Sequence, residues 1–215
     1  TTTTQTKTDQ RDLQPPAAQN IPSTTVDAQQ LRRALKIHVY GDEPPPPVQS
    51  ASDLAATYSL RPALSRAIQT SGYHELTRVQ MQAIPSLLSG RELLACAPTG
   101  SGKTAAFVIP IVAALAGGGK QRASGVRALI LSPTQELARQ TLREVLKLAA
   151  GAKLRAAVLT RKLAADAAAA SRGGQGASGS GLASLDILVA TPLRVLTLLR
   201  GELLSVRALR MLILD

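Results

Sequence analysis

The chain is short of aromatic residues: its 215 residues include no tryptophan, one phenylalanine and three tyrosines. A hydrophobic core must therefore be built from leucine, valine, isoleucine and alanine, which suit a parallel sheet covered by helices. With 45% hydrophobic residues, the chain has enough apolar side chains for one such core. The composition thus favours a single α/β domain.

Cysteine and long apolar runs are also scarce. Cys96 is the single cysteine, which excludes an intramolecular disulfide and favours a reducing compartment. Because Cys96 lies within an apolar run, we expect it to pack in the core rather than to act as a catalytic thiol. No apolar run reaches the ~18–20 residues of a membrane helix, so the sequence predicts no membrane partner.

Positive charge, in contrast, is abundant and unevenly placed. The formal net charge is +11, and residues 51–215 carry twenty Lys and Arg against nine Asp and Glu, whereas residues 1–50 carry five of each sign. A basic domain favours a polyanionic partner such as nucleic acid. A solvated arginine-rich surface, or one docked on an acidic protein, is the alternative.

The first 50 residues differ in composition from the rest. Residues 1–26 are polar and rich in threonine and glutamine, which predicts a disordered or extended tail. A short ordered piece at 31–40 and the extended run Pro44–Pro47 then lead into the domain at 51–215. Within the domain, residues 171–184 are rich in glycine and serine and are predicted to form a flexible loop.

After residue 52, short apolar runs alternate with helical periodicity. The predicted strands are 92–97, 126–132, 154–160, 186–190 and 209–215. The predicted helices between them are 103–115, 136–149, 162–170 and 192–199. This alternation predicts an α/β fold with a parallel, doubly wound sheet, and such folds bind ligands at the carboxyl edge of the sheet.

A loop of small residues separates the first predicted strand from its helix. It consists of Ala97, Pro98, Thr99, Gly100, Ser101, Gly102, Lys103 and Thr104. Its glycines allow successive N–H groups and the helix N-terminus to face a polyphosphate. Lys103 would reach the β- and γ-phosphates, and the Thr104 hydroxyl would hold Mg²⁺. The loop therefore predicts nucleotide binding, with Ala97 in place of the leading glycine; the alternative is a glycine-rich turn without a ligand.

The segment before this loop resembles the Q motif of DEAD-box RNA helicases. It reads Gly72-Tyr73-His74-Glu75-Leu76-Thr77-Arg78-Val79-Gln80 and is followed by Ala83-Ile84-Pro85. The resemblance implies that Gln80 reads the adenine edge, for which an amide offers one donor and one acceptor group. Tyr73 matches the aromatic residue of the motif. Taken alone, the segment is typical of an amphipathic helix with a threonine N-cap.

Two further segments resemble motifs Ia and Ib, with which the family grips the RNA sugar-phosphate backbone. The matching residues are Pro133, Thr134 and Gln135 in the first and Thr191, Pro192 and Arg194 in the second. Threonine hydroxyls and N–H groups at helix starts are suitable donors to phosphate oxygens. The resemblance therefore implies RNA contacts here, whereas each segment alone could be an ordinary helix N-cap.

The resemblance covers residues 50–215, the first RecA-like lobe of such helicases up to the Asp-Glu-Ala-Asp box. Asp215 matches the first aspartate of that box, which is linked to Mg²⁺. Lys103, Thr104 and Asp215 are therefore the implied catalytic residues, and ATP and Mg²⁺ the implied cofactors. Since the remainder of the box and a second RecA-like domain are not among these 215 residues, we expect this chain alone to bind nucleotide weakly and to hydrolyse it negligibly.

Several residues depart from the family pattern. Leu76, Gln135 and Leu193 stand where the family has proline, arginine and glycine, and no Gly-Gly pair occurs at 159–162. These departures bear on how strongly adenine stacks and how strongly RNA is bound.

Three segments are similar to the Rok-type DEAD-box helicases of small-ribosomal-subunit assembly. They are residues 37–47, which end in four prolines, Leu131–Leu137 and Thr191–Arg194. The similarity implies an ATP-dependent RNA helicase that matures pre-rRNA in the nucleolus, or alternatively acts in the cytoplasm, as a monomer among ribosome-assembly proteins. Two rivals are a P-loop helicase acting on DNA and a non-catalytic module that docks on RNA or the ribosome.

Overall fold

The computed structural model describes residues 25–116, 125–171 and 181–215. Within them the α-helices are α1 (Thr25–Leu35), α2 (Ala51–Thr57), α3 (Pro62–Thr70), α4 (Arg78–Leu88), α5 (Lys103–Ala116), α6 (Gln135–Leu148), α7 (Arg161–Ser171) and α8 (Pro192–Arg200). The strands are β1 (Ala128–Leu131), β2 (Ala156–Val158), β3 (Ile187–Ala190) and β4 (Met211–Leu214). Residues 1–24 and 172–180, where most of the predicted tail and flexible loop fall, lie outside the described residues.

The four strands form one parallel sheet in the order β2-β3-β1-β4. Ala128 of β1 lies opposite Ile187 of β3 on one side and Met211 of β4 on the other, and Ala156 of β2 also lies opposite Ile187. Parallel neighbours require crossover connections, and α6, α7 and α8 provide them. The predicted α/β fold with a parallel sheet is confirmed.

Alternate residues of the central strands face two different cores. Ala128 and Ile130 of β1 pack with helices α2 to α6, whereas Leu129 faces the opposite side, where Leu188 of β3 and Val195 of α8 lie. Every residue of β3 is buried. Burial on both faces explains why these strands are continuous apolar runs rather than alternating ones.

The prediction of a strand at 92–97 is wrong. These residues have no strand conformation, and Leu94 is 99% exposed. A strand needs a neighbour to supply its hydrogen bonds, and this segment pairs with none of the strands in the described sheet. Cys96 is consequently exposed rather than packed in the core.

The N-terminal 25–50 segment is more structured than its polar composition predicts. After α1, residues 44–50 run along α4, where the Val48 N–H donates to the Met81 carbonyl at 2.9 Å. The Leu76 N–H donates to the Gln49 carbonyl at 2.9 Å. The end of the expected linker is thus fastened to the lobe.

None of the helices in the described residues combines the length and apolar character needed to cross a membrane.

A buried ion pair joins the amino ends of the two central strands. Arg127 and Asp186 immediately precede β1 and β3, and Arg127 Nη2 lies 2.7 Å from Asp186 Oδ1. Arg127 Nη1 donates to the Leu115 carbonyl at 3.2 Å, and Asp186 Oδ2 accepts from the Arg155 N–H at 2.8 Å. Because both side chains are almost fully buried, each charge relies on the other for compensation.

Replacing this carboxylate should therefore destabilise the fold strongly. We expect Asp186→Ala to lower the free energy of unfolding by about 3–5 kcal/mol, because it leaves a buried guanidinium unpaired. Urea denaturation measures the change. The matched control is Asp166→Ala, which removes an exposed carboxylate from α7 and should cost less than about 0.5 kcal/mol. Equal effects of the two substitutions would contradict the role of the pair.

Candidate functional site

The predicted phosphate-binding loop leads directly into α5. Lys103 is the first residue of α5, and the helix is anchored by buried side chains such as Val108 and Ile109. Gly100 and Gly102 have φ angles of +79° and +88°, which glycine adopts without strain. These two residues turn the chain into the N-terminus of α5, whose unpaired N–H groups favour an anion.

Lys103 is bonded within its own loop. Its Nζ donates to the carbonyls of Ala97 at 2.7 Å and Pro98 at 3.0 Å. The Ser101 N–H also donates to the Pro98 carbonyl, at 3.3 Å. The Ser101 hydroxyl is buried and has no hydrogen-bond partner, and Thr99 is exposed on the turn. The lysine therefore holds the loop folded, while Ser101 keeps an unused hydroxyl that suits a phosphate oxygen.

The two predicted Mg²⁺ residues lie on different elements. Thr104 is the second residue of α5, and Asp215 directly follows β4. Asp215 Oδ2 accepts a hydrogen bond from the Thr141 hydroxyl of α6 at 3.4 Å. Among the described residues, no three His, Cys, Asp or Glu side chains are grouped to hold a metal. A hydroxyl and one carboxylate nevertheless fit Mg²⁺, which often takes one or two protein ligands together with substrate phosphates.

Gln80 connects the start of α4 to the phosphate-binding loop. Its side chain is fully buried. Oε1 accepts from the Thr77 N–H at 2.9 Å, and Nε2 donates to the Gly102 carbonyl at 3.1 Å. Both halves of the amide are used, as burial of a polar group demands. The structure therefore brings Gln80 and the loop into direct contact.

Tyr73 instead contacts α6. Its hydroxyl donates to Glu144 Oε1 at 2.7 Å, and the Lys147 ammonium lies 5.2 Å from the centre of its ring. Burial, and secondarily the hydrogen bond to Glu144, raise the pKa of Tyr73 well above its usual value. The contacts fasten the Q-motif segment to α6. The role of Tyr73 in nucleotide binding stays a prediction.

The residues predicted to contact RNA lie at the carboxyl ends of β1 and β3. Thr134 is the N-cap of α6, and its hydroxyl accepts from the Leu137 N–H at 3.2 Å. Thr191 is the N-cap of α8, with Pro192 as the first helical residue. Because β1 and β3 are neighbours in a parallel sheet, both helix starts lie at the same edge.

Two other residues at this edge have buried polar atoms without partners. They are Gln135, whose Nε2 is unpaired, and Ser132, whose hydroxyl is unpaired. Pro133 between them is exposed.

A third helix start, that of α7, lies at the same edge. The sequence predicts this helix at 162–170, but no candidate site residue was assigned to its start. Arg194 Nη1 donates to the Leu159 carbonyl at 3.0 Å, which links α8 to the end of β2. The next residue, Thr160, accepts from the Leu163 N–H at 3.1 Å, and exposed Arg161 and Lys162 begin α7. The signal was a threonine directly after an apolar run and before two basic residues. Because no Gly-Gly pair occurs at 159–162, no motif of the family marks these residues.

The close approach of Gln80 and Gly102 predicts that the loop does not tolerate a side chain at residue 102. A Cβ there would collide with Gln80 Nε2 and lie 3.3 Å from Thr77 Oγ1, in a backbone conformation that already strains other residues. Gly90 has a similar φ of +74° but nothing within 4 Å of a built Cβ. Gly102→Ala should therefore lower the free energy of unfolding by about 1–3 kcal/mol more than Gly90→Ala.

Urea denaturation of the two glycine variants gives this difference directly, because the strain of a positive φ is common to both. An equal loss of stability in the two variants would show that Gln80 does not pack against Gly102.

Comparison with known proteins identifies the family. The profile of the DEAD/DEAH box helicase family matches residues 77–215. The chain is 35% identical to ATP-dependent RNA helicase ROK1 of Meyerozyma guilliermondii over 90% of its own length and 34% of that protein. It is 43% identical to probable ATP-dependent RNA helicase DDX52 of Rattus norvegicus over 80% of its own length and 27% of that protein. The chain thus spans between about a quarter and a third of the length of these relatives.

Solved structures agree with this family. The chain superposes on the yeast DEAD-box splicing factor Prp28 with a TM-score of 0.71 and 28% identity, over 90% of this chain and 43% of that one. A DEAD box protein from Methanococcus jannaschii gives a TM-score of 0.59 and 31% identity, over 73% of this chain and 39% of that one. With a family profile that covers more than half of its residues, the chain belongs to the DEAD/DEAH box helicases.

Proposed function

We propose that this chain is the ATP-binding RecA-like lobe of an ATP-dependent RNA helicase. One observation carries the proposal: the Gln80 amide donates to the Gly102 carbonyl, next to Lys103. A group able to recognise a base edge and a loop able to bind phosphates are thereby held together. The names of the relatives, both ATP-dependent RNA helicases, support the same function.

ATP would bind along the loop and the start of α5. The Lys103 ammonium would exchange loop carbonyls for phosphate oxygens, which accept stronger hydrogen bonds because they are charged. The Ser101 hydroxyl, which has no partner, would donate to the same phosphates. Mg²⁺, held through Thr104 and Asp215, would supply neutralisation of the phosphate charge. These residues bind and orient the nucleotide for transfer of the γ-phosphoryl group to water.

RNA would bind across the carboxyl edge of the sheet. Thr134, Thr160 and Thr191 lie at the starts of three helices there, and each start offers backbone N–H groups to a phosphate. Arg161 and Lys162 add exposed positive charge to this edge. Phosphate contacts of this kind hold a strand without reading its sequence.

The substrate we propose is pre-rRNA, and the cellular role is assembly of the small ribosomal subunit in the nucleolus with ribosome-assembly proteins as partners. The similarity to the Rok-type helicases supports this role.

Base recognition by Gln80 is tested by replacing the amide with a carboxylate. Gln80→Glu replaces an amide, which offers a donor and an acceptor to the adenine edge, by a carboxylate, which offers acceptors alone. ATP should therefore bind about tenfold more weakly, as expected for the loss of one hydrogen bond to the base. Fluorescence titration with labelled ATP measures the change. Gln69→Glu makes the same substitution at an exposed residue of α3 and should leave the affinity unchanged. If ATP affinity is indifferent to Gln80→Glu, a P-loop helicase acting on DNA is favoured instead.

Electrostatic binding of RNA is tested through the start of α7. The double substitution Arg161→Ala and Lys162→Ala should reduce the slope of log affinity against log salt by about 1.4, since each lost phosphate contact on a single strand contributes about 0.7. Arg66→Ala is the control, because Arg66 is exposed on α3. Ala63 of α3 lies close to Gly151, which follows the C-terminal end of α6. This end of α6 is distant from the carboxyl edge of the sheet, where α6 begins.

The same titration should be run with and without ATP. A nucleotide-dependent affinity supports a helicase lobe. An affinity that ATP does not alter would favour a docking module. A slope change of about 0.7 in the Arg66 variant, the value for one phosphate contact, would contradict the proposed RNA edge.

A further inference from the structure

Residues 41–50, here called the strap, cross the outside of α4 and are fastened to it by hydrogen bonds. The Arg91 guanidinium donates to the Asp42 carbonyl at one end of the strap. At the other end, the Val48 N–H donates to the Met81 carbonyl at 2.9 Å. The strap therefore contacts α4 and the residues that follow it.

Arg32 of α1 fixes the middle of the strap. Its Nη2 donates to the carbonyls of Pro44 at 3.0 Å and Pro45 at 2.7 Å, and its Nε donates to Gln82 Oε1 at 2.8 Å. Prolines carry no N–H, and an extended proline run makes no internal hydrogen bonds, so its carbonyls need donors from elsewhere. The planar fork of a guanidinium can supply several donors at once. Partial burial of Arg32 lowers the pKa of its guanidinium.

Gln82 completes the connection between the strap and α4. Its side chain is buried, and its Nε2 donates to the Pro45 carbonyl at 2.8 Å and contacts the Ser86 hydroxyl at 3.4 Å. Arg32 and Gln82 thus share the Pro45 carbonyl as acceptor. A buried amide whose oxygen and nitrogen both have hydrogen-bond partners keeps one orientation.

Gln80 lies two residues before Gln82 on the same helix, so the two side chains leave α4 in nearly opposite directions. One is bonded to the strap and the other to the Gly102 carbonyl. The first turns of α4 are therefore held from both sides. The hydrogen-bonded path runs from Arg32 through Gln82 and α4 to Gln80 and the loop.

We propose that Arg32 is a positioning residue that keeps Gln80 oriented for base recognition. The proposal rests on the proposed function of Gln80. Without Arg32, the two proline carbonyls and the Gln82 amide oxygen lose a charged donor in a partly buried place. The strap then holds the start of α4 through fewer hydrogen bonds, those from Val48 to Met81 and from Gln82 to Pro45. Gln80 then loses its preferred orientation toward Gly102, although its own side chain is unchanged.

The Thr77 N–H reports the orientation of Gln80 without any nucleotide, because it donates to Gln80 Oε1 at 2.9 Å. Hydrogen exchange at this amide, measured by NMR on the whole chain, should become about tenfold faster in Arg32→Ala, because local opening of the start of α4 becomes easier. The Ile130 amide in β1 serves as the reference for global unfolding, since Ile130 is fully buried. Arg33→Ala is the matched control, because Arg33 lies in the same last turn of α1 but is exposed.

The second measurement is the ratio of affinities for ATP and GTP, from competition titrations below the unfolding transition. Arg32→Ala should lower this ratio about fivefold, the lower end of typical couplings between linked sites. Arg33→Ala should leave it unchanged. Arg32→Lys, which keeps the charge but lacks the planar fork, should lie between the unmodified chain and Arg32→Ala. If Arg32→Ala does not fold, Arg32→Lys and Gln82→Ala give the same two readouts.

The outcomes separate this proposal from the proposed function. Unchanged exchange at Thr77 relative to Ile130 would overturn the positioning role. Faster exchange at Thr77 with an unchanged ATP-to-GTP ratio, in a chain that prefers ATP, would overturn its link to base recognition. Equal affinity of the unmodified chain for ATP and GTP would overturn adenine reading by Gln80, while Thr77 would still show whether Arg32 positions that side chain.

Discussion

The hydrogen bond from the Gln80 amide to the Gly102 carbonyl sets the arrangement of the site. Gln80 is fully buried, and a buried amide without partners would cost free energy, so α4 must present it within reach of the loop. Gly102 allows this approach because it has no Cβ and adopts a positive φ. Helices α4 and α5 then pack side by side through residues such as Ile84 and Ile109. The position of Lys103 at the start of α5 follows from that packing.

The buried ion pair and the candidate site lie at opposite ends of the sheet. Arg127 and Asp186 form their buried pair before the amino ends of β1 and β3, where they neutralise each other and leave little field. At the carboxyl ends, exposed Arg161 and Lys162 begin α7, and Asp215 follows β4. A parallel sheet makes this division natural, because every crossover helix begins at the same edge. The RNA edge proposed above therefore lies at the end of the sheet opposite the buried ion pair.

The local sequence predicted those elements whose burial or capping depends on residues within the element itself. β1 and β3 are apolar runs buried on both faces, and Thr134 caps α6 as its sequence context indicates. The run at 92–97 has the same local pattern but no strand beside it, and sequence periodicity does not encode the presence of a partner. The candidate loop was predicted as a unit, and its contact with Gln80 was not, since the two lie 22 residues apart in the chain.

The strap illustrates the same limit from the polar side. Composition predicts a linker before residue 51, because few apolar side chains are available there to offset the entropy of ordering. Order arises instead from proline carbonyls that accept hydrogen bonds from Arg32 and Gln82, which lie on two different helices. A polyproline run loses little conformational freedom when it docks, because its φ angles are already fixed. A few well-placed donors therefore suffice to hold it, and the segment that sequence reasoning assigns to a spacer becomes part of the support for the site.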